Sequence, residues 1–238
     1  MDENKMQTGD VSLVNKDSRL YRFLDNFWYH YKWPTVIVFV LVLFLTVSVV
    51  QCAKKQKYDL YVLYAGGHEV SSVTENTVMS ERESIMTSLS SYAVDRDGNG
   101  QKDVAFEALY VLTMDEASKT EDVNVSRLSE DTDTLYSEML YSNYYVCFLS
   151  ENVYKSYQNQ SLFVKLAEYT DNTSLEYVDE YAVKLSSLSI ASKPGFDALP
   201  EDTVLVMRGL SEVAQKTNGK QNAAVYEAAE AALRALLQ

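Results

Sequence analysis

Residues 35–50 read TVIVFVLVLFLTVSVV, and they hold no charged side chain, no glycine and no proline. No other part of the chain restricts its fold so strongly. Pro34 to Val50 is uncharged, and Gln51, Cys52 and Ala53 extend it to the ~20 residues that span ~30 Å of hydrocarbon as a helix. A buried core helix is the alternative, but the flanks argue against it. The run is preceded by FWYHYKWP, in which Trp28, Tyr29, Tyr31 and Trp33 are rings of the kind that settle at a membrane–water boundary. Lys32 on one side, and Lys54, Lys55 and Lys57 on the other, can snorkel to the headgroups. Pro34 is expected in the first turn of the membrane helix, where its missing N–H costs nothing.

A cleaved signal peptide fits less well, because the apolar segment exceeds the usual core length and no A-x-A-like site follows. Cys52 follows the run as in a lipoprotein signal, but Gln51 stands where a small residue is wanted. The expected organisation is a short cytoplasmic tail (1–33), a single transmembrane helix (34–53) and an extracytoplasmic domain (54–238). Basic residues near the two ends nearly balance: Lys16, Arg19, Arg22 and Lys32 against Lys54, Lys55 and Lys57. The positive-inside rule therefore gives only a slight push to an inside N-terminus. The bulk of the foldable chain lies after the run, which places the main domain outside the cell.

From Tyr58 onward the chain has 13 basic and 29 acidic residues. A domain this acidic lacks the basic footprint that nucleic-acid binding needs. YDLYVLYA (58–65), DVAFEALYVLTM (103–114), YYVCFLS (144–150) and DTVLVMRGL (202–210) read as strands. Helical spacing covers about Glu75–Tyr92 and Val125–Asn143, a short helix starts at ENVYKSYQ, and NAAVYEAAEAALRALLQ closes the chain. Residues 115–124 read as a loop, and 168–202 as mixed, with Pro194, Gly195 and Pro200 marking loops. The alternation predicts an α/β domain with a short, mostly parallel sheet and flanking helices. Cys147, in YYVCFLS, is expected as a buried free thiol.

TLYSEMLYSNYYVCFLSENVYKSY (134–157), LFVKLAEY (162–169), DTVLVMRGLSE (202–212) and the final helix resemble, in order of elements, one lobe of an extracytoplasmic solute-binding protein. The resemblance implies an α/β lobe that takes a solute or a protein partner. The chain departs from that family in being too short for two lobes, so a closed cleft is not implied. YHYKWP is similar to the anchors of small envelope proteins of Gram-positive bacteria.

DRDGNGQKD (95–103) resembles the first half of a calcium loop. Asp95, Asp97 and Asn99 occupy positions 1, 3 and 5, Gly100 the turn at 6, Gln101 the carbonyl at 7 and Asp103 position 9. Phe106 stands at position 12, where a bidentate glutamate belongs, so calcium binding would be weak. The other reading is an Asx-and-Gly turn. AGGHEV (65–70) ends a strand with Gly66, Gly67 and His68, where α/β proteins bind ligands; a plain turn is the alternative. Six tyrosines between Tyr136 and Tyr157 suit either a contact surface or half-buried packing. No nucleophile elbow, zinc-protease helix, dithiol or Walker loop is present. These features predict a membrane-anchored, non-enzymatic module for an envelope protein partner or a small solute. The alternative is a metal-assisted envelope hydrolase acting through the 95–103 loop.

Overall fold

The computed structural model describes residues 19–53, 57–74, 79–121 and 123–238. Lys16, Lys54, Lys55 and the start of the expected helix at 75–78 lie outside the described residues. The chain forms two compact units, Met1–Gln56 and Lys57–Gln238.

Among the described residues the first unit holds one helix, α1 (Arg19–Ala53). It begins well before the apolar run, so Pro34 lies in its interior and not in its first turn. The proline withholds a backbone donor from the carbonyl of His30, yet the helix continues through it. Every apolar residue from Val36 to Val47 is exposed. Thr46 and Ser48 donate to the carbonyls of Val42 and Phe44, at 2.8 and 2.9 Å, so neither hydroxyl needs water. Among the described residues this helix alone, over Tyr31–Ser48, is long and apolar enough to cross a membrane. Membrane spans and signal sequences share those two properties.

The second unit is an α/β domain. Its elements run β1 (Leu60–Gly66), α2 (Glu81–Ser90), β2 (Val104–Tyr110), α3 (Met114–Ala117), α4 (Val125–Tyr141), β3 (Val146–Ser150), α5 (Glu151–Tyr157), β4 (Tyr177–Asp179), β5 (Ala182–Lys184), β6 (Thr203–Met207) and α6 (Glu212–Leu236). They make one six-stranded sheet in the order β2-β1-β3-β6-β5-β4. β1 is parallel to β2 and β3, whereas the β3–β6, β6–β5 and β5–β4 pairs are antiparallel. The sheet is therefore mixed and mostly antiparallel, which corrects the expected mostly parallel one. The reason lies in the connections. Parallel neighbours need a long crossover, usually a helix. Helices supply it between β1 and β2 and between β2 and β3. β4 and β5 form a tight hairpin, and only short 3-10 turns at Leu185–Ser187 and Ser189–Ser192 lead from β5 to β6. The hairpin hid in the 168–202 stretch because strands of three residues show no readable alternation.

Side-chain parity assigns the two faces. Leu60, Val62, Tyr64, Val146, Phe148, Leu205 and Met207 pack with Ile85 and Leu89 of α2 and Val225, Ala229 and Leu233 of α6. Leu63, Ala65, Cys147, Leu149, Val204 and Val206 pack with Leu135 and Met139 of α4 and Val153 and Tyr154 of α5. Each fully buried leucine or isoleucine contributes about 1.5–3 kcal/mol. Capping fixes where the helices start. Ser80 with Glu83 and Thr113 with Glu116 form capping boxes at α2 and α3, and Asn124 and Ser150 cap α4 and α5. The Thr113 box puts a helical turn, α3, in the expected 115–124 loop.

Both outer edges of the sheet are blunted. On β2, Arg82 donates to the carbonyl of Phe106, and the amide of Tyr110 donates to Asp131 at 2.8 Å. On the other side, β4 is three residues long and carries a register shift.

Candidate functional site

The parallel strands have an amino edge and a carboxyl edge, and polar side chains gather at each. At the amino edge stands the 95–103 loop. Its carboxylates turn onto its own backbone. Asp95 accepts from the amides of Gly98 (2.7 Å) and Gly100 (2.8 Å), Asp97 from Asn99 (3.1 Å), and Asn99 Oδ1 from Gln101 (2.6 Å). Gly98 and Gly100 take φ of 72° and 81°, the left-handed region that glycine enters freely. The Gly100 amide chiefly, with its neighbours, holds the Asp95 carboxyl below the usual range. Asp59, just before β1, is 1% exposed and accepts from the amides of Arg96 (2.8 Å) and Asp103 (2.9 Å).

One carboxylate oxygen each from Asp59, Asp95 and Asp97 lies within 4.8 Å of the others, so this triad could hold a metal ion. The carboxylate of Asp103 is not in the group. Its backbone instead locks the start of β1, with its carbonyl accepting from Asp59 and Leu60. Asn99 and Gln101 are engaged in the loop's own turns. Asp59 escaped sequence reading because it lies far from the loop in the chain. The parallel β1–β2 register, Leu60 opposite Val104, is what brings it there.

The carboxyl edge contains Gly66, Gly67 and His68. β1 and β3 are adjacent, but their helical connections run to opposite faces, so the edge between them is a topological switch point. The Tyr64 ring runs along β1 and brings its hydroxyl over Gly66. A Cβ on Gly66 would lie 2.8 Å from that hydroxyl and 3.3 Å from Cβ of Ser150. Gly66 thus makes room for a phenol, and Gly67 makes room for Leu112, whose Cδ2 would meet a Cβ at 2.8 Å. His68 Nε2 is 2.7 Å from Glu81 Oε1, and the other Glu81 oxygen accepts from the Ser71 amide.

Ser150 pairs with Thr203 across β3 and β6, so their side chains share the face of Tyr64. Three hydroxyls therefore line up over three adjacent strands. Those of Tyr64 and Thr203 are buried; Thr203 Oγ1 has no hydrogen-bond partner among the described residues, while the backbone amide of His68 lies against the Tyr64 hydroxyl. Burial pushes the Tyr64 phenol well above its ordinary range, the amide of His68 opposes this, and the charges of Asp202 and Glu81 add to it. The exposed Asp202 carboxyl is raised by partial desolvation and then by the nearby Glu116 and Glu151. Sequence reading missed Tyr64, Glu81, Ser150, Asp202 and Thr203. The period-2 spacing of Tyr64 and Gly66 was the available signal.

The residues 28–33 of α1 are exposed where described: Trp28, Tyr29, Tyr31, Lys32 and Trp33. At 3.6 residues per turn these five positions spread over roughly 200° of the helix circumference. Of the six clustered tyrosines, Tyr145 and Tyr154 are core residues, Tyr144 packs edge-on against Tyr61, Tyr157 is half-buried against the same core, and Tyr136 and Tyr141 are exposed. Most of the cluster is thus packing. Cys147 is a buried free thiol, as expected.

Comparison of the chain with protein-family models, with curated proteins and with solved structures finds no match.

Proposed function

We infer that the protein is a single-pass membrane protein whose acidic α/β domain is a non-enzymatic binding module outside the cell, with the N-terminus in the cytoplasm. The observation that carries this reading is α1: a cluster of exposed aromatic rings followed by an unbroken exposed apolar surface. Water does not tolerate such a surface, whereas lipid does. The domain's partner is an envelope protein or a small solute, in keeping with the solute-binding-lobe resemblance. Its negative charge disfavours nucleic acid. Calcium at Asp59, Asp95 and Asp97 serves as a clip between the 95–103 loop and β1. Few donor oxygens there remain unshared with backbone amides, which suits a weak structural site and not a hydrolytic centre.

The test is protease treatment of intact cells that express the full chain, followed by carbonate washing of the membranes. The expected result is digestion of the 57–238 domain without lysis, with the protein kept in the washed membrane pellet. Digestion only after lysis would refute the outside placement. Release of a chain shortened at its N-terminus would identify a signal sequence instead.

A further inference from the structure

We propose that the groove between α4 and α5, beyond the carboxyl end of β2, binds a small uncharged aromatic solute, its ring held by Tyr136 and Tyr157. This names a ligand class for the binding-module reading and rests on it. The groove is a cavity of about 350 Å³, within the roughly 300–1,000 Å³ of small-molecule sites. Three elements wall it: the turn after β2 (111–114), α4, and α5 with the 3-10 turn Gln158–Gln160. Its floor is the buried Val111, Leu135 and Val153, and Leu112, seated against Gly67, extends that floor. On the rim Met114 is 93% exposed and Tyr136 56%, so the groove is open to solutes from water. Exposed apolar side chains around a cavity mark a binding surface, and α/β frames place ligands outside the carboxyl ends of their parallel strands.

The lining selects the chemistry of the ligand. No charged side chain lines the groove, although the domain from Tyr58 onward carries 29 acidic residues. A charged solute would lose hydration there without gaining a partner, and an anion would also meet the negative field of the domain. Charges on the same elements are engaged elsewhere. Glu116 accepts from Thr113 Oγ1 and from Asn152 Nδ2, each at 2.7 Å, and Lys155 is 2.6 Å from Glu151. Tyr136 and Tyr157 come from different helices yet are neighbours: burial pushes the Tyr157 phenol up, and Tyr136 adds to it. The two rings do not stack on one another among the described ring pairs, which leaves them to a flat ligand. Three hydroxyls on the rim have already given up their protons. Thr113 donates to Glu116, Thr132 to the Leu128 carbonyl at 2.6 Å, and Ser156 to the Asn152 carbonyl at 3.1 Å. Their remaining lone pairs accept, so the preferred ring carries an N–H or O–H donor.

The experiment is calorimetric titration of the full chain in detergent micelles, with indole as the probe and indole-3-carboxylate as its anionic match. Heat from the same solutes added to empty micelles is subtracted. The expected result is saturable binding of indole, with the carboxylate at least about tenfold weaker. Ser156→Trp, which fills the groove, should abolish binding, and Tyr136→Ala should weaken it about fivefold. Asp95→Asn, at the opposite edge, should leave it unchanged. Ser156 and Tyr136 are both exposed, so these variants are expected to fold, and circular dichroism checks that they do. No saturable heat, equal binding of the carboxylate, or parent affinity in both groove variants would overturn the proposal. Sedimentation of the same samples tests a rival occupant: a parent that self-associates, with a Ser156→Trp variant that does not, would assign the groove to a second copy and overturn the proposal too. Protease accessibility and membrane retention in cells report on the anchored-module reading separately, so failure of the groove and failure of that reading are told apart.

Discussion

Arg208 follows β6 and is 3% exposed, yet it faces no carboxylate among the described ion pairs. It spends its charge on backbone carbonyls. Nη1 donates to Met139 at 2.8 Å, Nη2 to Ser142, and Nε to Tyr144 at 3.4 Å, and the guanidinium lies 5.0 Å over the Tyr145 ring. These carbonyls end α4 and lead into β3, so one side chain ties the helix terminus to two strands. Arg208→Met keeps the length and removes the donors. Leaving the Met139 carbonyl unpaired costs about 2 kcal/mol, and the two carbonyls nearer the surface about 1 kcal/mol each. The lost cation–ring contact adds about 1 kcal/mol. Relief from burying an unpaired charge returns about 2 kcal/mol. The net loss is about 3 kcal/mol, or roughly 6–12 °C in Tm for a domain of this size. Thermal unfolding of the full chain in micelles, followed by near-ultraviolet circular dichroism, measures it. Arg208→Lys should fall between the two, since an ammonium cannot reach all three carbonyls with the same fork. A Met variant within about 1 kcal/mol of the parent would refute the capping account.

Gly195 has φ of 86°, and a Cβ there would sit 2.7 Å from Ile85 Cγ1 and 2.8 Å from Ile85 N, so Gly195→Ala should cost more than about 2 kcal/mol in urea unfolding. The Glu107 carboxyl is raised by desolvation, opposed by Arg82 at 3.8 Å, and raised further by Glu138 and Asp131. Such a raised group favours the fold fully below its unfolded pKa and loses that contribution as pH rises through its folded value. Glu107→Gln should therefore raise Tm at neutral pH, with the gain fading towards about pH 4; a gain that grows in acid would reverse the assigned sign. Burial pushes the Cys147 thiol up to about 12, so in a Cys52→Ser background maleimide should label the chain only after unfolding, as mass spectrometry would show.

The four longer strands and most helices were legible in the sequence because each has an extended apolar pattern. The direction of β6 was not, because pairing sense depends on the connection, and the β4–β5 hairpin is too short to show a period. The candidate metal ligands were half legible. Asp95 and Asp97 stand out in their own loop, whereas Asp59 joins them only through strand pairing. At the carboxyl edge, Gly66 and Gly67 attract attention as a possible backbone approach for a ligand. In the fold they accommodate Tyr64 and Leu112, and the polar groups beside them are hydroxyls from three strands whose adjacency no local motif records.

Proteins tethered to one membrane meet one another far more often than the same number dispersed in water. An open strand edge under those conditions would recruit its twin, and recruitment would spread along the surface as a growing sheet. On β2, Arg82 and Asp131 already occupy the outward carbonyl of Phe106 and the outward amide of Tyr110, and β4 ends after three residues with a shifted register. On the membrane reading proposed above, crowding would raise the collision rate between neighbours, and these blunted edges disfavour their pairing strand to strand.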